Sequence, residues 1–247
     1  MPLSIEVSGW GAANTGPPSG PANVSGVTVS GLIITESNDV IYAWIASSTS
    51  GVWTISGGGL TWNSRFPIFG DNFQYGRAFY ATATSPISGF NVTAGFGDLA
   101  RGALAVVSVA GANTAAPFDS NLTIPLRVSG LMLANSDTVQ SGIVSTNNAN
   151  DMLLGFVGIN LSGPSTGTVG SGWTQLSRLV HQQVTIATGY LLVSATQTNL
   201  AISFVSGGSI FDTQYALAGD AIVQATITAA FKESGSKRQY RREGFRR

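Results

Sequence analysis

A polar dipeptide leading into an unbroken apolar run occurs twice in this chain, and its surroundings recur with it. Asn38-Asp39-Val40-Ile41-Tyr42-Ala43-Trp44-Ile45 returns 112 residues later as Asn150-Asp151-Met152-Leu153-Leu154-Gly155-Phe156-Val157. Gly59-Leu60-Thr61-Trp62-Asn63-Ser64-Arg65 has its counterpart in Gly172-Trp173-Thr174-Gln175-Leu176-Ser177-Arg178, at an offset of 113. Ala83-Thr84 matches Ala195-Thr196, and Phe90 and Val92 match Ile202 and Phe204, both at 112. Ala103-Leu104-Ala105-Val106 is matched by Ala221-Ile222-Val223-Gln224 at 118. Order and spacing persist together, which restricts the chain to two related units, at 22–114 and 130–231, joined by a connector at 115–129.

Each unit reads as strands. Ile41, Ala43 and Ile45 alternate with Tyr42 and Trp44, and Phe90-Asn91-Val92-Thr93 alternates at period two. Val184-Thr185-Ile186 and the run 222–227 are β-branched in the same manner. Clusters such as Ser56-Gly57-Gly58-Gly59, Thr146-Asn147-Asn148 and Ser206-Gly207-Gly208 punctuate them. No window carries a capped 3.6-residue stripe. The pattern predicts an all-β protein of duplicated β-sandwich or jelly-roll units, as one large sandwich or two. Gly16-Pro17-Pro18-Ser19-Gly20-Pro21 and the segment before it, from Gly9, read as an extended N-terminal arm over 1–21.

Residues 38–45, 57–65, 79–84 and 105–119, with a weaker second copy over 150–227, resemble a loosely defined β-sandwich group. Its members occur in phage virion proteins and in modular bacterial surface proteins. The resemblance implies a fold and a setting; its motifs are structural, and it carries over no catalytic residue.

Charge is distributed very unevenly. The net charge of zero conceals a tail, 232–247, with seven basic groups against two acidic ones, a net of +5, and a remainder with five basic against ten acidic, a net of −5. The tail's Lys232, Lys237, Arg238, Arg241, Arg242, Arg246 and Arg247 interleave with Tyr240 and Phe245. That pattern suits an acidic partner: the body of a neighbouring copy, another virion protein, or nucleic acid, where seven phosphate contacts would give a salt slope of roughly −6. Only 10% of all residues are charged, so the surface must be built from Ser, Thr, Asn and Gln.

Catalytic chemistry is sparse. The absence of cysteine rules out disulfides, thiolate metal sites and thiol nucleophiles. His181 is the single histidine and has no partner by motif for a triad or a metal site. Gly163-Pro164-Ser165-Thr166-Gly167 has the spacing of a nucleophile elbow but no helix to follow it. Gly95-Phe96-Gly97-Asp98-Leu99-Ala100 lacks the helix a dinucleotide fingerprint needs and reads as a β-turn. Asp71, Asp98, Asp119 and Asp212 fall in expected loops, where aspartate most often makes local turns; two of them assembled in space would instead make a hydrolase. Trp44 and Trp62 read as packing residues. Trp53 and Tyr75, nearer loops, are the candidate glycan contacts.

These features point to a non-enzymatic structural or decoration component of a virion-type assembly, without cofactor or metal, whose terminal arms dock on neighbouring subunits. The expected setting is a virion or an extracellular surface. The start of the chain shows neither the basic nor the apolar region of a signal peptide, and no apolar stretch is long enough for a spanning helix. A carbohydrate-binding adhesin or receptor-binding module is the alternative, and a hydrolase the third.

Overall fold

A computed structural model describes residues 2–13, 24–71, 74–132, 138–160, 166–181, 184–207 and 213–226. Among the described residues there is no helix; the protein is all-β, with every strand pair antiparallel. The first eight strands are β1 (Ser4–Ala13), β2 (Val24–Ile34), β3 (Asp39–Ser47), β4 (Thr54–Gly57), β5 (Asn63–Asp71), β6 (Gln74–Ala83), β7 (Ile87–Ala100) and β8 (Gly102–Ala110). The next eight are β9 (Leu126–Met132), β10 (Thr138–Val144), β11 (Met152–Asn160), β12 (Thr166–Val169), β13 (Thr174–His181), β14 (Val184–Leu192), β15 (Leu200–Gly207) and β16 (Thr213–Ile222).

The first set forms a five-stranded sheet, β1-β8-β3-β6-β5, and a three-stranded one, β2-β7-β4. The second set forms β9-β16-β11-β14-β13 and β10-β15-β12, the same orders with eight added to each strand number. Three cores separate the four sheets. One lies between β2-β7-β4 and its five-stranded neighbour and holds Val29, Ile41, Ile45, Trp53, Phe96 and Leu104. A second, holding Leu153, Val157, Ile202, Phe204 and Leu217, occupies the corresponding place in the other half. The third lies where the two five-stranded sheets face each other, around Tyr42, Trp44, Phe156, Ile186 and Ala218.

This layering explains the unbroken apolar run. All nine residues of β3 are buried, because Ile41, Ala43 and Ile45 enter one core while Val40, Tyr42, Trp44 and Ala46 enter the other. A strand covered on both faces has no use for a polar alternate. Across the central core β1 meets β13, β8 meets β14, β3 meets β11, β6 meets β16 and β5 meets β9. Exchanging the halves reproduces the same set of pairs, which is the contact pattern of an isologous, two-fold interface. Trp44 and Phe156, equivalent positions of β3 and β11, stack on each other with centroids 5.8 Å apart.

Several sequence expectations change. Residues 4–13 are no free arm but the edge strand β1, paired along its length with β8. The glycine that argued against regular structure permits the packing: a Cβ on Gly9 would lie 2.7 Å from Val29 Cγ1. The Gly/Pro run up to residue 21 lies outside the described residues from position 14 on. The connector also shortens, since β9 begins at Leu126 and Phe118 already bridges to Ile222.

The repeat register is corrected too. Val40 pairs with Val109, and Met152 with Ile222, so β8 corresponds to β16 at an offset of 113 rather than 118. Ala103-Leu104-Ala105 then coincides with Ala216-Leu217-Ala218. Likewise Asn63 and Thr174 hold the same place opposite Tyr80 and Tyr190, so Arg65 corresponds to Leu176 and not to Arg178. In both strands the register slips at this residue, a bulge repeated in the two halves.

Candidate functional site

The basic tail residues, Lys232 to Arg247, lie outside the described residues. Trp53 cannot serve as a glycan platform. It is 2% exposed, and its ring sits edge-on to Phe96 with centroids 6.3 Å apart. Its position just before β4 looked like a loop in sequence, but that short strand folds the tryptophan under the three-stranded sheet. Tyr75 is half-buried, packed against the same core. An open groove of about 460 Å³ borders the β6–β7 turn, lined by Gly58, Thr61, Asn63, Thr84, Ser85 and other small or aliphatic residues, with no charged or aromatic side chain among them.

Other candidates disperse. His181 ends β13 and Asp71 ends β5. The run 95–100 is no turn: it continues β7, with Gly97 at φ 74°. Of the elbow-like run 163–167 only Thr166 and Gly167, in β12, are described. No group of three or more His, Asp or Glu side chains that could hold a metal ion stands together among the described residues.

The structure instead assembles acidic pairs that sequence spacing does not show. Asn38 and Asn150 both adopt the left-handed conformation (φ 65° and 63°), turning the chain into β3 and β11. The next residues, Asp39 and Asp151, are fully buried. Glu6 sits at the register slip of β1, one residue after Ile5, which pairs with Val109. Its Oε1 accepts from Thr35 N, Thr35 Oγ1 and Glu36 N, so it holds the turn ahead of β3. Asp119 follows Phe118, which bridges to Ile222, the equivalent of Val109. Its carboxylate accepts from Asn121 N (2.7 Å), Asn147 N (2.9 Å), Asn148 N (2.9 Å) and Asn148 Nδ2 (2.8 Å), and so holds the turn ahead of β11.

Each buried aspartate stands beside one of these carboxylates, with Asp39 Oδ1 and both oxygens of Asp151 lacking any N–H or O–H partner. Burial first, then the bond to Glu6, pushes Asp39 up to about 7. Burial first, then the bond to Asp119, pushes Asp151 up to about 8. The partners move the other way: desolvation raises Glu6, but the interactions with Asp39, Thr35 and Glu36 outweigh it and hold its pKa below the usual value. For Asp119 desolvation is outweighed in the same way by Asp151 and the backbone amides of Asn121, Asn148 and Asn147. Within each pair the two carboxyl groups are thus driven apart, the buried aspartate upward and its neighbour downward. Ser108 Oγ also donates to Asp39 Oδ2 at 2.7 Å.

A second buried charge cluster ties the halves together. Arg65 on β5 meets Asp220 on β16 with two bonds, Nε to Oδ2 at 2.7 Å and Nη2 to Oδ1 at 3.0 Å. Tyr42 Oη donates to Oδ2 at 3.1 Å, and Ala221 N to Oδ1 at 3.0 Å. The guanidinium lies 3.9 Å over the Phe118 ring. Burial raises the Asp220 carboxyl against the opposing pull of Arg65. This fork geometry is a structural clamp in which every oxygen of Asp220 is engaged.

Sequence reasoning saw Asp119 as a turn residue and missed the rest. Its one available signal was the repeated Asn-Asp ahead of an all-apolar strand. No protein-family model, no curated protein and no solved structure matches this chain.

Proposed function

We propose that this protein is a non-enzymatic structural component of a larger, virion-type assembly. Two β-sandwich units of common origin are joined face to face into one brick, and the basic tail docks on neighbouring copies or on other proteins of the particle. The observation that supports this most directly is the placement of charge. In the body, Arg65, Asp220, Asp39 and Asp151 are turned inward to hold layers and turns. The outer face of β2-β7-β4 exposes Thr28, Ser30, Thr54, Ser56, Asn91 and Thr93, polar groups that need no ion to be desolvated on contact. Opposing that is a tail of +5 on a body of −5, a complementarity that favours head-to-tail association between copies.

Burial of Trp53 removes the main support for a glycan-binding reading. Light scattering on the full chain and on a 1–231 truncation, at low and high salt, tests the proposal. Assembly of the full chain alone, reversed by salt, is the expected result. Identical monomers in all four conditions overturn it, and assembly of the full chain only on adding DNA transfers the tail to nucleic acid.

A further inference from the structure

We propose that each half of the protein is closed by the same proton-held latch, in which a buried aspartic acid opening the central strand donates its proton to a carboxylate on the adjoining edge segment, and that losing this proton as the medium turns alkaline loosens both ends of the central layer.

Geometry repeated with different residues carries the inference. Asp39 and Asp151 occupy one position, each after a left-handed asparagine and each fully buried. Glu6 and Asp119 occupy another, each one residue beyond a partner of Val109 or its equivalent Ile222. The donors from the turn correspond as well: backbone amides of Thr35 and Glu36 in one half, of Asn147 and Asn148 in the other. The residue types differ at most of these places while the arrangement is retained. Glu6 Oε2, Asp39 Oδ1 and both oxygens of Asp151 are buried without a hydrogen-bond partner. Two bare carboxylates could not stand so, and one proton per pair satisfies them.

A cation fits less well. Asp119 Oδ2 already accepts three N–H donors, whose positive ends would face the ion. The charged groups around Asp39 are Glu6 from β1 and Glu36 from the turn, with the Ser108 hydroxyl from β8; Asp151 faces Asp119.

The direction of the effect follows from linkage. An unfolded aspartate gives up its proton near pH 4, whereas Asp39 keeps it to about 7 and Asp151 to about 8. The native state therefore binds more protons between these limits, and the stability conferred by the latch falls as pH rises through that window, reaching its floor above pH 8. Glu6 and Asp119, held low, act oppositely and only at more acid pH.

The full-length protein is tested by infrared spectroscopy and by amide exchange between pH 5 and 9. At pH 6 the carbonyl band of neutral carboxylic acid is expected, diminishing in D39N and again in D39N/D151N, and gone from wild type by pH 9. Protection at Thr35, Glu36, Asn147 and Asn148 should fall in wild type across the same range and stay level in the double variant, where each asparagine amide still donates. Absence of the band in wild type at pH 6 overturns the latch even if no variant folds. So does an equal loss of protection in wild type and double variant, or full restoration at pH 9 by calcium chloride.

Discussion

At one corner of the core between the five-stranded sheets Arg65, Asp220, Tyr42 and Phe118 meet; at the corner reached by exchanging the halves stand Leu176, Val107, Leu154 and Ile5. The four correspondences follow from strand register: Arg65 and Leu176 at the shared bulge, Asp220 and Val107 at an offset of 113, Tyr42 and Leu154 at 112, and Phe118 and Ile5 at 113. The same space between the same strands is filled by a buried ion pair in one place and by aliphatic side chains in the other. The charged corner is therefore not required to close the layer. Its consequence is specificity: a mis-registered β5 would strand Asp220 without Arg65, whereas a leucine tolerates many neighbours.

Breaking one member of the charged corner should have the largest effect. D220V leaves a guanidinium that is only 17% exposed without its carboxylate, and R65L leaves a fully buried carboxylate with only Tyr42 and one amide. Either change is expected to cost about 3–5 kcal/mol in urea unfolding. Copying the apolar corner at its three polar positions, as R65L/D220V/Y42L with Phe118 kept, should recover most or all of that loss, since isosteric apolar replacements of buried pairs are commonly neutral or stabilising by about 1–4 kcal/mol. A triple variant as unstable as D220V would show that the two corners are not interchangeable.

A middle-sized effect is expected on the axis itself, where Ala46 faces its equivalent, Gly158. A Cβ on Gly158 would stand 2.5 Å from Ala46 Cβ and 2.7 Å from Nε2 at the end of the flexible Gln74 side chain, so with Gln74 able to give way only one methyl fits between the strands. G158A should destabilise by about 1–3 kcal/mol through overpacking. A46G/G158A moves the methyl across the axis, and unfolding should return to within about 1 kcal/mol of wild type if the interface is two-fold in its packing as well as its strand order.

These comparisons also show what the sequence disclosed. The run from Val40 to Ile45 was legible as a strand, but that both its faces are buried emerges only from the layers on either side of it. Period-two segments such as 90–93 located β7 correctly, and Trp44 was legible as core. The register of the repeat was not legible at β5, β6 and β8, because turns between equivalent strands differ in length by one or two residues and a sequence match absorbs this silently. That error aligned Arg65 with Arg178 and hid its true counterpart, Leu176. The acid pairs were invisible for another reason. Glu6 and Asp39 lie on different strands, and only the fold brings β1 alongside the turn before β3. Trp53 misled because a four-residue strand looks like loop, while burial is decided by the layer above it.

The smallest effect sharpens the comparison most finely, because one of the two buried aspartates has a hydroxyl beside it and the other has none at the equivalent position. Ser108 donates to Asp39, and its bond favours the ionised form; the equivalent position beside Asp151 is Ala221. Burial raises both, Asp39 to about 7 and Asp151 to about 8, and only Asp39 has the Ser108 bond pulling it down. S108A should move Asp39 upward towards Asp151, by no more than about one unit, equivalent to about 1.4 kcal/mol. A221S should move Asp151 downward. In the first variant the acid form persists further into the alkaline range, so the pH-dependent loss of stability is displaced to higher pH; in the second it is displaced to lower pH. Carbon-13 titration of the two carboxyl groups reads both shifts directly. If S108A leaves Asp39 where it is, the difference between the latches lies in their burial, and the hydroxyl is only a bystander to it.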